Sequence, residues 1–181
     1  MIICLTGPMA SGKNYIASRL ENEEAVSIDL DKTVHKAIEL CTQEILKTFE
    51  AEASRKGITL TDSNGNLNRR ALGALVFSDS ELLKKQEAIV YPKVIELTLS
   101  FIEENSSKTV ILNATVLYKT PQLMNLCNAV YFVQAGFFKR LYRAIKRDKM
   151  PLLQILKRFK AQSSLLDNYK ATGKPVFIIK N

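Results

Sequence analysis

Histidine and cysteine are nearly absent from this 181-residue chain, which has one histidine (His35) and three cysteines (Cys4, Cys41, Cys127). None of them has zinc-ligand spacing, and His35 has no evident serine, aspartate or cysteine partner for nucleophilic catalysis. The cysteines are odd in number and far apart. That excludes a disulfide-stapled miniprotein and leads us to expect reduced core thiols in a cytoplasmic protein. Glycine and proline together supply only 12 residues, with no Ser/Pro/Gly linker and no repeat, so a disordered tail and a repeat array are excluded. No apolar run approaches the roughly 18 residues of a membrane helix, so no membrane association is expected. The start, MIICLTG, has no basic leader followed by an apolar run and a small-residue cleavage site, so no secretory signal is read.

What is present is 46% hydrophobic and 24% charged residues, enough for one domain with a real core. The formal net charge is +8. Residues 1–109 hold 13 basic and 16 acidic side chains, a net of −3. Residues 110–181 hold 13 basic side chains against Asp148 and Asp167, a net of +11. Segment 139–160 has nine basic residues against Asp148, so one short stretch carries an excess of +8. Phe138, Tyr142 and Phe159 are the few aromatics near those charges, and no nucleic-acid motif accompanies them. A phosphorylated small molecule fits this pattern and nucleic acid does not.

The runs 2–6, 25–29, 109–114, 129–133 and 175–180 read as strands. Helical spacing marks 14–22, 31–56, 68–77, 80–104 (kinked or split at Pro92), 137–149 and 152–165. This alternation predicts an α/β fold with a five-stranded parallel sheet flanked by helices. The basic helical pair, at about 136–165, reads as a lid inserted before the last strand. Stretch 57–105 reads as a helical acceptor-side subregion within one domain, 1–181.

Gly7-Pro8-Met9-Ala10-Ser11-Gly12-Lys13 matches the phosphate-loop pattern G-x-x-x-x-G-K, directly after a strand and before a helix. Glycines allow a tight turn whose amides point inward, and the following helix adds its positive end. Lys13 adds a point charge for the β- and γ-phosphates. ATP is therefore expected on Pro8, Met9, Ala10, Ser11, Gly12, Lys13, Asn14 and Tyr15. Asn14 stands where Ser or Thr normally supplies a hydroxyl to Mg²⁺. Its amide oxygen is a candidate Mg²⁺ ligand, and a helix cap is the alternative reading. Phosphoryl transfer also needs a carboxylate to take the acceptor proton. Asp31, at the carboxyl end of a parallel strand, is the candidate, and it too suits a helix cap. Arg140, Arg143 and Arg147 share one helical face that lacks acidic partners.

Several stretches read with this loop resemble the dephospho-coenzyme A kinase family. They are Ile28-Asp29-Leu30-Asp31; Gly65 to Leu72 followed by Val76-Phe77; Val90-Tyr91-Pro92; and Arg140 to Arg147-Asp148 followed by Arg158-Phe159-Lys160-Ala161-Gln162. The resemblance implies a P-loop kinase that phosphorylates the ribose 3′-hydroxyl of dephospho-coenzyme A with ATP and Mg²⁺. It implies catalytic roles for Asp31, Lys13 and Arg140. It also implies nucleotide contacts from Arg147 and Arg158, and acceptor contacts from Asp31, Arg69 and Phe77. The bland readings of Phe77 and Tyr118 are core or pocket wall. Departures from the family pattern are Asn14, Asn68 for an Asp, and Asn113-Ala114-Thr115-Val116-Leu117-Tyr118-Lys119 for D-x-P-L-L-F-E. Asn181 falls where the family has I-D-N before a final helix. The alternatives are a P-loop kinase for another nucleoside or small hydroxyl acceptor, and a degenerate, non-catalytic ATP-binding module.

Overall fold

The computed structural model describes residues 1–148 and 150–181, so Lys149 of the expected 137–149 helix lies outside the described residues. The chain divides into two compact units, residues 1–30 with 101–181, and residues 31–100.

The first unit is built on a five-stranded sheet in the order β2-β3-β1-β4-β5, every pair parallel. The strands are β1 (Ile2–Thr6), β2 (Ala25–Asp29), β3 (Thr109–Asn113), β4 (Ala129–Gln134) and β5 (Val176–Lys180). β1 is central, and its apolar run is buried, with Cys4 and Leu5 fully inaccessible. Both faces of such a strand are covered, which is why it reads as a continuous hydrophobic run. Helix α1 (Lys13–Leu20) lays Ala17, with Ile16 and Leu20 beside it, against Leu5, Ile111 and Val133. Helices α6 (Pro121–Leu126), α7 (Phe137–Asp148), α8 (Leu152–Ala161) and α9 (Leu165–Lys170) complete the unit.

Tyr169 of α9 is fully buried. Its hydroxyl accepts from the Leu117 amide at 2.9 Å and donates to the Thr115 carbonyl at 3.2 Å, while its ring meets Tyr118 edge-on. Thr6 Oγ1 donates to the same Thr115 carbonyl at 3.1 Å. The segment leaving β3 is thus fixed by side chains where no ladder holds it. Burial pushes the Tyr169 phenol well above the ordinary range.

The second unit is helical: α2 (Leu30–Leu40, whose first residue belongs to the first unit), α3 (Thr42–Arg55), α4 (Arg69–Val76) and most of α5 (Ser80–Glu104). Ile45, Phe49, Leu72, Leu75 and Val76 form its core, each 1% exposed or less. Asn68 caps α4 by accepting from the Ala71 amide at 3.1 Å, which an Asp at that position would also do.

Three readings change. The 31–56 pattern is two helices, interrupted at Cys41, because periodicity does not register a one-residue break in the ladder. Pro92 sits inside α5 without splitting it. The 152–165 pattern ends as α8 at Ala161, and a separate short α9 follows. Of the cysteines, Cys4 and Cys127 are buried and Cys41 is only partly so; all three are free thiols.

Tyr91, beside Pro92, donates to Glu87 Oε1 at 3.1 Å. Burial, then the neighbouring Glu87 charge, push its phenol from 10.0 up to about 12. The folded state holds this proton more tightly than the unfolded chain. The resulting stabilisation is complete below pH 10.0 and disappears as pH rises toward about 12. Tyr91→Phe is therefore expected to flatten the alkaline fall in stability across that window, as measured by urea unfolding at stepped pH.

Candidate active site

Residues 7–12 join β1 to α1 at the carboxyl end of the central strand, and Lys13 and Asn14 open the helix. Gly7 has φ 152°, and a methyl group there would run into the Val133 carbonyl of β4. Gly12 has φ 97° and lies against the Asn181 side chain, so neither position has room for a Cβ. Between them Ala10 takes φ 61°, a left-handed conformation costly for a residue with a Cβ. The Ser11 amide donates to the Pro8 carbonyl at 3.0 Å, closing the turn. Lys13 Nζ donates to the Gly7 carbonyl at 3.2 Å, folding the ammonium back over the loop.

Asn14 does not cap α1, whose N-cap is Gly12. Its Oδ1 accepts from Asn113 Nδ2 at 2.9 Å and its Nδ2 reaches Asp29 Oδ2 at 3.4 Å. Asp29 and Asn113 are register partners at the ends of β2 and β3. Two side chains from adjoining strand ends and one from the first turn of α1 thus meet in one polar corner. The Tyr15 ring is exposed on the outside of α1, where Arg19 reaches its hydroxyl, leaving its backbone as the part nearest the loop.

The basic helices reach the loop from the other side. Arg140 Nε donates to the Met9 carbonyl at 2.9 Å, and its guanidinium lies 4.1 Å from the centre of the Phe159 ring. Arg143 NH1 donates to the Ser11 carbonyl at 3.2 Å. Gln162 Oε1 accepts from the Met9 amide at 2.6 Å, and Asn181 Nδ2 donates to the Ser11 carbonyl at 2.8 Å. Burial lowers the Arg140 guanidinium's proton affinity, and its second terminal nitrogen is buried with no hydrogen-bond partner among the described residues. A buried guanidinium nitrogen with no acceptor is a place for an anionic oxygen. A separate cavity of about 420 Å³ is lined by Ala10, Gly12, Tyr142, Arg143, Lys146 and Arg147. Its walls combine two residues of the phosphate loop with three cationic side chains of α7 and the Tyr142 ring.

A sequence profile of the dephospho-CoA kinase family matches residues 1–181. The chain is 36% identical over 185 residues to the dephospho-CoA kinase of Treponema denticola, covering 100% of this chain and 82% of that protein. It is 28% identical to the dephospho-CoA kinase of Treponema pallidum, covering 99% and 86%. A crystal structure from Thermus thermophilus superposes with a TM-score of 0.82 at 28% identity, covering 100% of this chain and 88% of that one. The dephospho-CoA kinase of Campylobacter jejuni gives 0.70 at 25% identity, covering 99% and 87%.

The chain belongs to the dephospho-CoA kinase family.

It is accordingly an ATP-dependent kinase with a P-loop kinase fold. The structure brings together Pro8 to Asn14, Arg140 and Arg147 of the expected site. Arg158 is exposed in the last turn of α8 and does not line the cavity. Asp31, Arg69 and Phe77 belong to the second unit. Asp31 is exposed in the first turn of α2, two residues past the end of β2. Arg69 pairs with Glu39 at 3.0 Å. Phe77 is 77% exposed, which removes the core half of its core-or-pocket-wall reading: the α4 periodicity that buries Leu72, Leu75 and Val76 ends one residue earlier. His35 is an exposed helix residue. Arg143 and Asn181 join the site although neither is among the expected site residues, Asn181 being matched only to the family's I-D-N stretch. Arg143 was legible only as a member of the Arg140/Arg147 face.

Arg143 and Asn181 hold the same carbonyl. Each substitution, Arg143→Ala or Asn181→Ala, is expected to weaken ATP binding by roughly three- to tenfold, the worth of one such hydrogen bond. The double variant should lose more than either single change. Calorimetric titration with ATP checks this.

Proposed function

We propose that this kinase transfers the γ-phosphoryl group of ATP to the ribose 3′-hydroxyl of dephospho-CoA, with the phosphate loop, Asp31 and the basic helices in distinct roles. The single observation that carries the reading is the convergence on residues 7–14. A loop closed against the Val133 carbonyl at Gly7 and against the Asn181 side chain at Gly12 is held at its Met9 and Ser11 carbonyls by arginines from a segment rich in basic residues.

In this reading the amides of Ala10 and of residues 12–15 bind the phosphates, since Pro8 has no N–H and the Met9 and Ser11 amides are given to Gln162 and to the Pro8 carbonyl, and Lys13 neutralises the β- and γ-oxygens. Asp31 orients the acceptor hydroxyl and takes its proton as the new O–P bond forms and the bond to the departing ADP breaks. Residues 136–165 act as a lid. Arg140 offers its unpartnered nitrogen to the transferring group, while Arg147 and Arg158 approach the nucleotide as the lid closes and excludes water. Stretch 57–105, with Arg69 and Phe77, serves the acceptor. The reaction is placed in the cytoplasm, where ATP is supplied, with small molecules as its partners.

Mg²⁺ fits the corner of Asn14, Asp29 and Asn113, where every available donor is a hard oxygen. Among the described residues no group of three or more His, Cys, Asp or Glu side chains stands ready to hold a metal. A cation here would therefore share its shell with phosphate oxygens and water. When bound, the ion supplies charge neutralisation between the β- and γ-phosphates.

Incubation with ATP and dephospho-CoA is expected to yield coenzyme A and ADP in equal amounts. Turnover only on another hydroxyl acceptor would replace the proposed substrate. ATP binding with no turnover on any acceptor would make the chain a binding module. Lys13→Ala should lower kcat/KM by roughly 10²-fold or more while the unfolding midpoint stays near wild type. Asp31→Asn should lower kcat by roughly 10²–10⁴-fold with ATP affinity little changed. A change confined to thermal stability would leave Asp31 as a helix-terminal residue only.

A further inference from the structure

Asn14 is flanked by two neighbours of unlike hydrogen-bonding capacity. On one side stands Asp29, a carboxylate, which accepts only. On the other stands Asn113, 4% exposed at the end of β3, which can donate or accept. An amide has one donating end and one accepting end. With its Nδ2 turned toward Asp29 Oδ2 at 3.4 Å, Asn14 must present Oδ1 to residue 113. It does so, and Asn113 Nδ2 donates to it at 2.9 Å. Turning the Asn14 amide over does not relieve the requirement, because Oδ1 would then face the Asp29 carboxylate. Asn14 beside Asp29 therefore demands a donor at position 113.

We propose that Asn14 and Asn113 form one interdependent hydrogen-bonding pair, oriented by Asp29, in which Asn113 is a positioning residue that fixes the Asn14 amide oxygen at the phosphate-loop end where the cation of the nucleotide sits. Asn14 is exposed, so the second lone pair of its Oδ1 is the ligand atom it offers. The pair adds no charge to this corner, leaving Asp29 as its carboxylate. An acid at position 113 would set an acceptor against an acceptor. A serine at position 14 carries a rotatable hydroxyl that donates to either neighbour, so it tolerates an acid at 113. The two positions are thus coupled by donor and acceptor matching rather than by size, since Asn and Asp occupy nearly the same volume. The cation role rests on the phosphate-site reading above; the coupling itself does not.

The test is a double-mutant cycle of wild type, Asn113→Asp, Asn14→Ser and the double variant. It is read by unfolding midpoint without nucleotide, and by ADP affinity with and without Mg²⁺. Asn113→Asp alone is expected to lower the midpoint by about 4 °C or more. It should weaken ADP binding in Mg²⁺ roughly tenfold while changing Mg²⁺-free binding less than about twofold. In the Asn14→Ser background the same substitution should cost less than about a third as much on both measures. Equal costs in the two backgrounds would overturn the proposal, as would equal losses of ADP affinity with and without Mg²⁺. If Asn113→Asp alone does not fold, recovery of a folded protein by Asn14→Ser is the expected result, and failure to fold in both backgrounds overturns it. The midpoints need no substrate, so failure of wild type to bind ADP would sink the phosphate-site reading while the pair is still decided.

Discussion

Everything at the site depends on how closely the backbone of residues 7–14 approaches the elements around it. At Gly7 the chain passes so near the Val133 carbonyl of β4 that a single methyl group has no room. At Gly12 the Asn181 side chain fills the space a Cβ would need. The loop is thereby pressed into a turn that spends backbone conformations which side chains disfavour, including the positive φ of Ala10. Such a turn persists only when its surroundings over-determine it. Here that role falls to four side chains from the end of the chain, which hold the Met9 and Ser11 peptide groups from α7, α8's flank and β5's end. The last 45 residues are therefore part of the phosphate loop's own construction.

This makes the basic segment intelligible. Arg140 and Arg143 reach backbone carbonyls, which carry no compensating charge, and Arg140 stacks on Phe159. The ion pairs of the second unit, such as Arg69–Glu39 and Lys93–Glu96, compensate charge locally in solvent, where each contributes little. The contrast between carbonyl-held and carboxylate-held arginines separates a surface prepared for an anion from one that is merely solvated. The excess of +8 is accordingly a local property of one segment, which meets the backbone of the phosphate loop.

Much of this was legible in the residues and some was not. The five strands and the loop stood out because each depends on neighbours in sequence: a buried apolar run, a glycine, a lysine at fixed spacing. The Cys41 break between α2 and α3 and the split between α8 and α9 did not, because apolar periodicity carries through a short interruption. Of the two readings of Pro92, a split is the one that fails, since a proline removes one hydrogen bond from a 25-residue helix in which Val90 and Val94 are buried on either side of it. Phe77 misled in its core reading: an aromatic at the end of an apolar run reads as core when it is the first residue past the buried face. Asn181 and Tyr169 act through partners more than 50 residues away, and neither periodicity nor spacing reports such contacts.

The asparagines show where composition and chemistry part. Counted singly, Asn14, Asn68 and Asn113 are three departures of one kind, each replacing a hydroxyl or an acid. Placed in the fold they divide by what the position asks of its side chain. Position 68 asks for an acceptor at a helix N-terminus, and an amide oxygen supplies it as a carboxylate would. Positions 14 and 113 ask for complementary halves of a hydrogen bond, and an amide at one is satisfied only by a donor at the other. A change that looks like loss of function at one position is then the condition for function at its neighbour. Neutral side chains here are consistent with an intact kinase, because Asp29 keeps a carboxylate in the corner and Lys13 keeps its charge over the loop.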